Sequence, residues 1–121
     1  MSANGRQVLK AETVKTMAMN HIGKVLVGPL KTAIPPLSND VDVFPGMPKK
    51  WGLSFLINTE KAPTGRSAGS LAWAGLANTY FWIDPAKEIG GVYLSQVLPF
   101  ADKKSLPLCG EVETAVYQSM S

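Results

Sequence analysis

The spacing of apolar residues changes three times along this chain, and each change marks a new element. Between Val8 and Met19, the residues Leu9, Thr13, Val14 and Met17 recur at helical spacing, with Lys10 and Lys15 off the stripe. Asn20-His21-Ile22-Gly23 follows, and Gly23 is a fitting helix stop. Residues 24 to 50 lose all periodicity and carry Pro29, Pro35, Pro36, Pro45 and Pro48. Proline removes a backbone donor and disfavours helix in the residue before it, so an extended arm is expected. An arm of this length is uncommon inside a small compact domain and suggests a segment that lies on another surface.

From Trp51 the pattern turns to strands. They are expected over Trp51–Asn58, over residues 67–75, over the aromatic and β-branched stretch of residues 77–84, and over residues 91–98. The middle two can form one bent pair. The connections are short, and a parallel crossover needs about a dozen residues or more, so the pairing should be antiparallel. Pro107 marks the start of a closing helix, with Val112, Ala115, Val116 and Met120 as its apolar face. The fold class is therefore α+β: an antiparallel sheet of three to four strands, an N-terminal helix with an extended arm, and a C-terminal helix. The whole chain, 1–121, reads as a single domain, with helix and Pro-rich arm over 1–50 and sheet and closing helix over 51–121.

Composition narrows the picture. A hydrophobic fraction of 45% in 121 residues supports a core. Charged residues make up only 17%, below the roughly 25% usual for soluble domains, which fits either an adhesive surface or a large core. The net charge of +3 is scattered. Its densest clusters are the pairs Lys49-Lys50 and Lys103-Lys104, which make no basic face for nucleic acid. No apolar run approaches the ~18 residues of a membrane span. Cys109 is the single cysteine, so no internal disulfide forms, and a soluble, cytoplasmic protein is expected. One histidine and one cysteine leave no metal-ligand set, and neither metal nor cofactor is expected.

Few residues suggest chemistry on their own. Gly65-Arg66-Ser67-Ala68-Gly69 matches G-x-S-x-G, the strained strand-to-helix turn that exposes a nucleophilic serine. Here strand follows instead of helix, and the only histidine, His21, precedes the serine. Ser67 is therefore read as a loop residue and His21 as a helix-terminal or packing residue. Cys109, near the start of the last helix, reads as a bland buried thiol. Tyr80-Phe81-Trp82 reads as sheet packing in preference to a base-stacking platform. Lys31-Thr32-Ala33 and Lys61-Ala62-Pro63-Thr64-Gly65 echo a K-T-G signature but fall in or beside Pro-containing segments, where no strand is expected. No catalytic residue is assigned.

The stretch Gly69 to Pro85 resembles the third signature region of the serine β-lactamase-like hydrolases, the class C β-lactamases and the β-lactamase-fold carboxylesterases. In the esterase branch W-x-G replaces K-T-G, and an aromatic strand ending in W-x-D-P follows. Trp73-Ala74-Gly75 and Trp82-Ile83-Asp84-Pro85 match both pieces. Leu9 to Val14 with Asn20-His21-Ile22-Gly23 is similar to the helix before this region, and Trp51-Gly52-Leu53 to the start of the intervening strand. The resemblance spans about residues 8 to 120.

It implies a partial β-lactamase/transpeptidase-like fold with three core strands, Trp51–Asn58 outermost. It also implies a substrate and oxyanion side made by Trp73, Ala74, Gly75 and Leu76. In that family the N–H after W-x-G is an oxyanion donor, here Leu76, and Gly75 leaves room for the acyl group. One such donor is worth about 3 kcal/mol to a transition state. Trp73 stands where the lactamases have lysine, which favours esters over the β-lactam carboxylate. The family's S-x-x-K nucleophile motif occurs nowhere in this sequence, nor does its Y-x-N.

The chain thus reads as the C-terminal segment of a serine hydrolase that cleaves small esters or amides through an acyl-enzyme. It should be inactive until completed by an N-terminal half. The alternative is a non-catalytic protein that uses its orphan sheet to self-assemble or bind a partner. The family's sheet continues beyond the last strand, so the edge at Gly91–Leu98 should be open here and recruit a second copy, with the arm as an exchangeable cover.

Overall fold

The computed structural model describes residues 2–121. A short hairpin, β1 (Ser2–Ala3) and β2 (Arg6–Gln7), turns through Asn4 and Gly5, both at positive φ. Helix α1 spans Ala11–Met17, shorter than the apolar spacing over residues 8–19 suggests, and none of its residues is fully buried. The main sheet follows: β3 (Lys49–Trp51), β4 (Leu56–Asn58), β5 (Leu71–Gly75), β6 (Thr79–Asp84) and β7 (Ile89–Tyr93). Its five strands lie in chain order and pair antiparallel throughout. Helix α2 (Ser105–Ser119) closes the chain, with Pro107 in its first turn.

The α+β antiparallel fold is as the sequence leads one to expect, with one strand more. The segment 51–58 is not one strand. The chain reverses between Trp51 and Leu56, where Gly52 N–H donates to Phe55 O at 2.8 Å and Ser54 takes φ 78°. Gly52 is needed there because a Cβ would lie 2.3 Å from the carbonyl oxygen of Met17, at the end of α1. The outermost strand is therefore β3. The last strand covers 89–93, not 91–98. Beyond it the chain is captured by the β5–β6 turn: the buried Asn78 amide donates to Val97 O and Pro99 O, both at 2.8 Å, and Val97 N–H donates to Ala77 O.

The face of α2 also differs from the expected one. Ser105, Cys109, Glu113 and Tyr117, four residues apart, are its buried positions, while Val112 and Met120 are 44% and 46% exposed. The reason is chemical. Glu113 is 1% exposed because Arg66 and Thr64 bind its carboxylate, and Tyr117 is buried against Trp82 and Ala72 in the core. Gly91 faces Trp82 across the β6–β7 pair, and the indole occupies the place of a Cβ. The arm folds onto its own chain through Leu30↔Val41 and Ser38↔Phe100 bridges. The buried Lys49 ammonium ties it down through Asp42 Oδ1 (3.3 Å), Phe44 O (3.1 Å) and Met47 O (3.2 Å). Among the described residues no helix is long and apolar enough to cross a membrane.

Candidate functional site

The Trp73-Ala74-Gly75 strand sits in the middle of the sheet, yet one of its edges is partly open. Asn58 N–H donates to Ser70 O (3.4 Å) and Gly69 N–H to Asn58 O (2.8 Å). Successive residues of a strand turn their backbone groups to opposite sides, so Ser70, Ala72 and Ala74 all turn theirs toward β4. Ala72 meets Leu56 there. Ala74 has no residue of β4 paired with it. On its other side β5 is fully paired with β6, from Leu71↔Ile83 to Gly75↔Thr79. Leu76 begins the turn to β6, and among the described residues its N–H donates to no protein acceptor. The turn itself is fixed. Asn78 takes φ 58°, and its Oδ1 accepts from Tyr80 Oη (2.6 Å) and Asp102 N–H (2.9 Å).

Aromatic rings surround that edge. Trp73 meets Trp51 edge-on with ring centroids 4.5 Å apart, and Phe55 meets Phe81 at 6.3 Å. Such pairs contribute about 0.5–1.5 kcal/mol beyond their buried area. All four rings are half-buried. Trp73 and Ala74 also line a half-open cavity of about 220 Å³ between the sheet, the arm and α2.

Ser67 lies in the loop before β5, and its N–H donates to Asp84 Oδ2 at 2.8 Å. No helix follows it, so the elbow geometry is absent, as the strand pattern after it suggests. His21 is exposed near the end of α1, with Nε2 2.6 Å from Thr16 O and no carboxylate among its hydrogen-bond partners. Cys109 is buried, and burial, reinforced by the Glu113 carboxylate, pushes its thiol up from the ordinary range. None of the three is brought together with another into a nucleophile and base. Among the described residues no cluster of His, Cys, Asp and Glu forms a metal site.

Two polar centres escaped the sequence reading. Asp84, fully buried, accepts from Ser67 N–H, Tyr117 Oη (2.9 Å), Ala86 N–H (3.1 Å) and Lys87 N–H (3.2 Å). Burial alone would raise its pKa, but these hydrogen bonds outweigh it and hold the carboxyl below its ordinary value. Tyr117 responds in the opposite sense, raised by burial and then by the Asp84 carboxylate. The W-x-D-P aspartate is thus the joint between β6, the Ser67 loop and α2. The second centre is Arg66–Glu113, an ion pair at 2.5 Å whose guanidinium lies 5.1 Å from the Phe44 ring. Its partners are 47 residues apart in sequence, and no local pattern signals their meeting.

The antiparallel five-stranded sheet with its C-terminal helix matches part of the serine β-lactamase-like (transpeptidase) fold. Solved structures that match include those of simvastatin synthase (LovD) from Aspergillus terreus. Its LovD9 mutant matches at TM-score 0.59 with 26% identity, over 61% of this chain and 19% of that one. The LovD6 mutant (TM-score 0.59, 25% identity) and the unliganded selenomethionyl protein (0.58, 27%) each match over 60% of this chain and 19% of theirs. The chain therefore corresponds to about a fifth of the length of these proteins. No protein-family model and no curated protein matches it.

Proposed function

We propose that this chain is the C-terminal, substrate-wall segment of a β-lactamase-fold serine acyl-transfer enzyme, acting on small esters or amides and inactive until a chain carrying S-x-x-K completes it. The observation that carries the reading is the open β5 edge at Ala74, followed by the unpartnered Leu76 N–H, in a strand whose fold neighbours are simvastatin synthase. In the completed site a serine from the other chain attacks the acyl carbon. The oxygen that gains charge would then sit against Leu76 N–H, a fixed dipole that costs no reorganisation during the reaction. Gly75, with no side chain, leaves the approach clear. Trp73, held edge-on by Trp51, supplies an apolar wall where a cation would otherwise select a carboxylate. The present chain supplies no nucleophile and no general base.

Mixing tests this. The isolated chain should hydrolyse p-nitrophenyl butyrate no faster than its Ser67→Ala variant. Adding a separately produced N-terminal half bearing S-x-x-K should raise the rate well above that of either part. Turnover by the isolated chain that Ser67→Ala abolishes would restore the serine elbow in its place. A second reading, a self-assembling protein without catalysis, is favoured by the uncharged run from Ile89 to Leu98 at the sheet edge. Under it, mixing does nothing and the chain associates with itself.

A further inference from the structure

We propose that the cavity between the sheet, the arm and α2 is a binding site for a small, neutral, mostly apolar molecule that presents one oxygen acceptor, such as an aryl ketone. This goes beyond the acyl-transfer reading and holds whether or not that reading does. The cavity measures about 220 Å³. An apolar cavity of about 150 Å³ already takes up benzene, so a singly substituted benzene fits here. The wall is mostly apolar: Leu30 and Val41 from the arm, Leu56 and Ala72 from the sheet, Leu106 from α2. Left empty, such a wall forfeits dispersion contacts that an apolar guest restores.

Arg66 selects the head group. Its side chain is only 9% exposed and lines the cavity. Nε and one N–H of Nη2 donate to Glu113, at 2.7 and 2.5 Å. Among the described residues no acceptor meets Nη1, and it is not one of the polar atoms sealed off from open space. A guanidinium carries five N–H donors, so Arg66, which lines the cavity, has donor capacity to spare. The charge balance then decides the guest. Glu113 already neutralises Arg66, and Asp42, which lines the same cavity, is paired with Lys49, so the charges around the cavity cancel and an entering anion gains no net attraction. A cation meets the guanidinium. Only a neutral acceptor gains from Arg66 without an opposing charge, and desolvating it costs far less than desolvating an ion.

Calorimetric titration of the full chain with three ring compounds of matched shape tests this: acetophenone, benzoate and cumene. Acetophenone should bind one molecule per chain. Cumene should bind about tenfold more weakly, the worth of a hydrogen bond to a charged donor. Benzoate should not bind. Cys109→Leu, which fills the cavity from α2, should abolish acetophenone binding. Should that variant fail to fold, the unaltered chain supplies a second measurement: saturating acetophenone should slow alkylation of Cys109 by iodoacetamide. The proposal is overturned by absence of acetophenone binding, by benzoate or cumene binding equally well, by unchanged binding to a folded Cys109→Leu chain, or by an unchanged alkylation rate.

Discussion

At the scale of single residues, Glu113 is the most exposed to loss by mutation and the least visible in the sequence. It sits within the run Gly110-Glu111-Val112-Glu113-Thr114, where nothing distinguishes it from its exposed neighbour Glu111. Its burial to 1% follows from a partner on a loop far back in the chain, and no local pattern encodes that meeting. Removing one member of a buried pair leaves the other charge uncompensated. Glu113→Ala should therefore lower unfolding stability by about 3–5 kcal/mol in urea titration, while the apolar double replacement Arg66→Met with Glu113→Leu should come near neutral. Equal losses in the two would show that the pair contributes through packing alone. Asp84 gives a pH signature. Its folded pKa lies below its unfolded value, so its contribution is fully present above about pH 4 and is lost as pH falls through the folded pKa. Acid titration of stability should be shallower in Asp84→Asn than in the unaltered chain. Identical slopes would mean that other carboxylates carry the acid sensitivity. By contrast, the hairpin that carries Trp73-Ala74-Gly75 and Trp82-Ile83-Asp84 was legible, because its two strands are neighbours in the chain.

At the scale of elements, composition and spacing gave the strands of the central hairpin and misplaced both flanks. The apolar run Trp51–Asn58 hid a reversal, because Gly52 and Ser54 signal a turn only once α1 is known to press on it. The run Gly91–Leu98 looked like strand, yet Asn78 claims the carbonyls of Val97 and Pro99 from the side. What remains of the last strand is an edge. Among the described residues β7 has a neighbour only in β6, and Val92 and Leu94 are 66% and 76% exposed. Natural edges are usually guarded by charge, proline or a bulge, and Ile89–Leu98 has neither charge nor proline. We expect β7 to pair with β7 of a second copy, and light scattering at micromolar concentration to report a dimer that Val92→Lys converts to monomer. A clean monomer of the unaltered chain would sink this expectation.

At the scale of the whole molecule, the fold likeness covers three-fifths of the chain and a fifth of the proteins it resembles. Strand pattern alone made the α+β class legible, since an antiparallel meander needs only neighbouring segments to agree. The cavity was not legible, because its walls come from arm, sheet and helix at once. One further consequence bears on the proposed catalysis. In a completed two-chain enzyme, Leu76→Pro removes the donor N–H, and kcat should fall by about 10²–10³ with little change in the fold of this chain by circular dichroism. An unchanged kcat would take the oxyanion role away from Leu76.

The arm closes on itself in a way that matters for engineering. Lys50 donates to Gly23 O at 2.7 Å and Val25 O at 2.8 Å, and Val27 N–H donates to Lys49 O, so the segment departs and returns at one point beside β3. Its tip, at Ile34-Pro35-Pro36, is exposed and held mainly by one turn from Ile34 to Leu37. A loop with a clamped base behaves as a socket. Doubling its length with a flexible insert costs only about 0.6 kcal/mol in closure entropy. A reporter or a second binding module spliced between Pro35 and Pro36 would thus hang from the molecule like a pendant, its motions decoupled from the sheet by the Lys50 clasp.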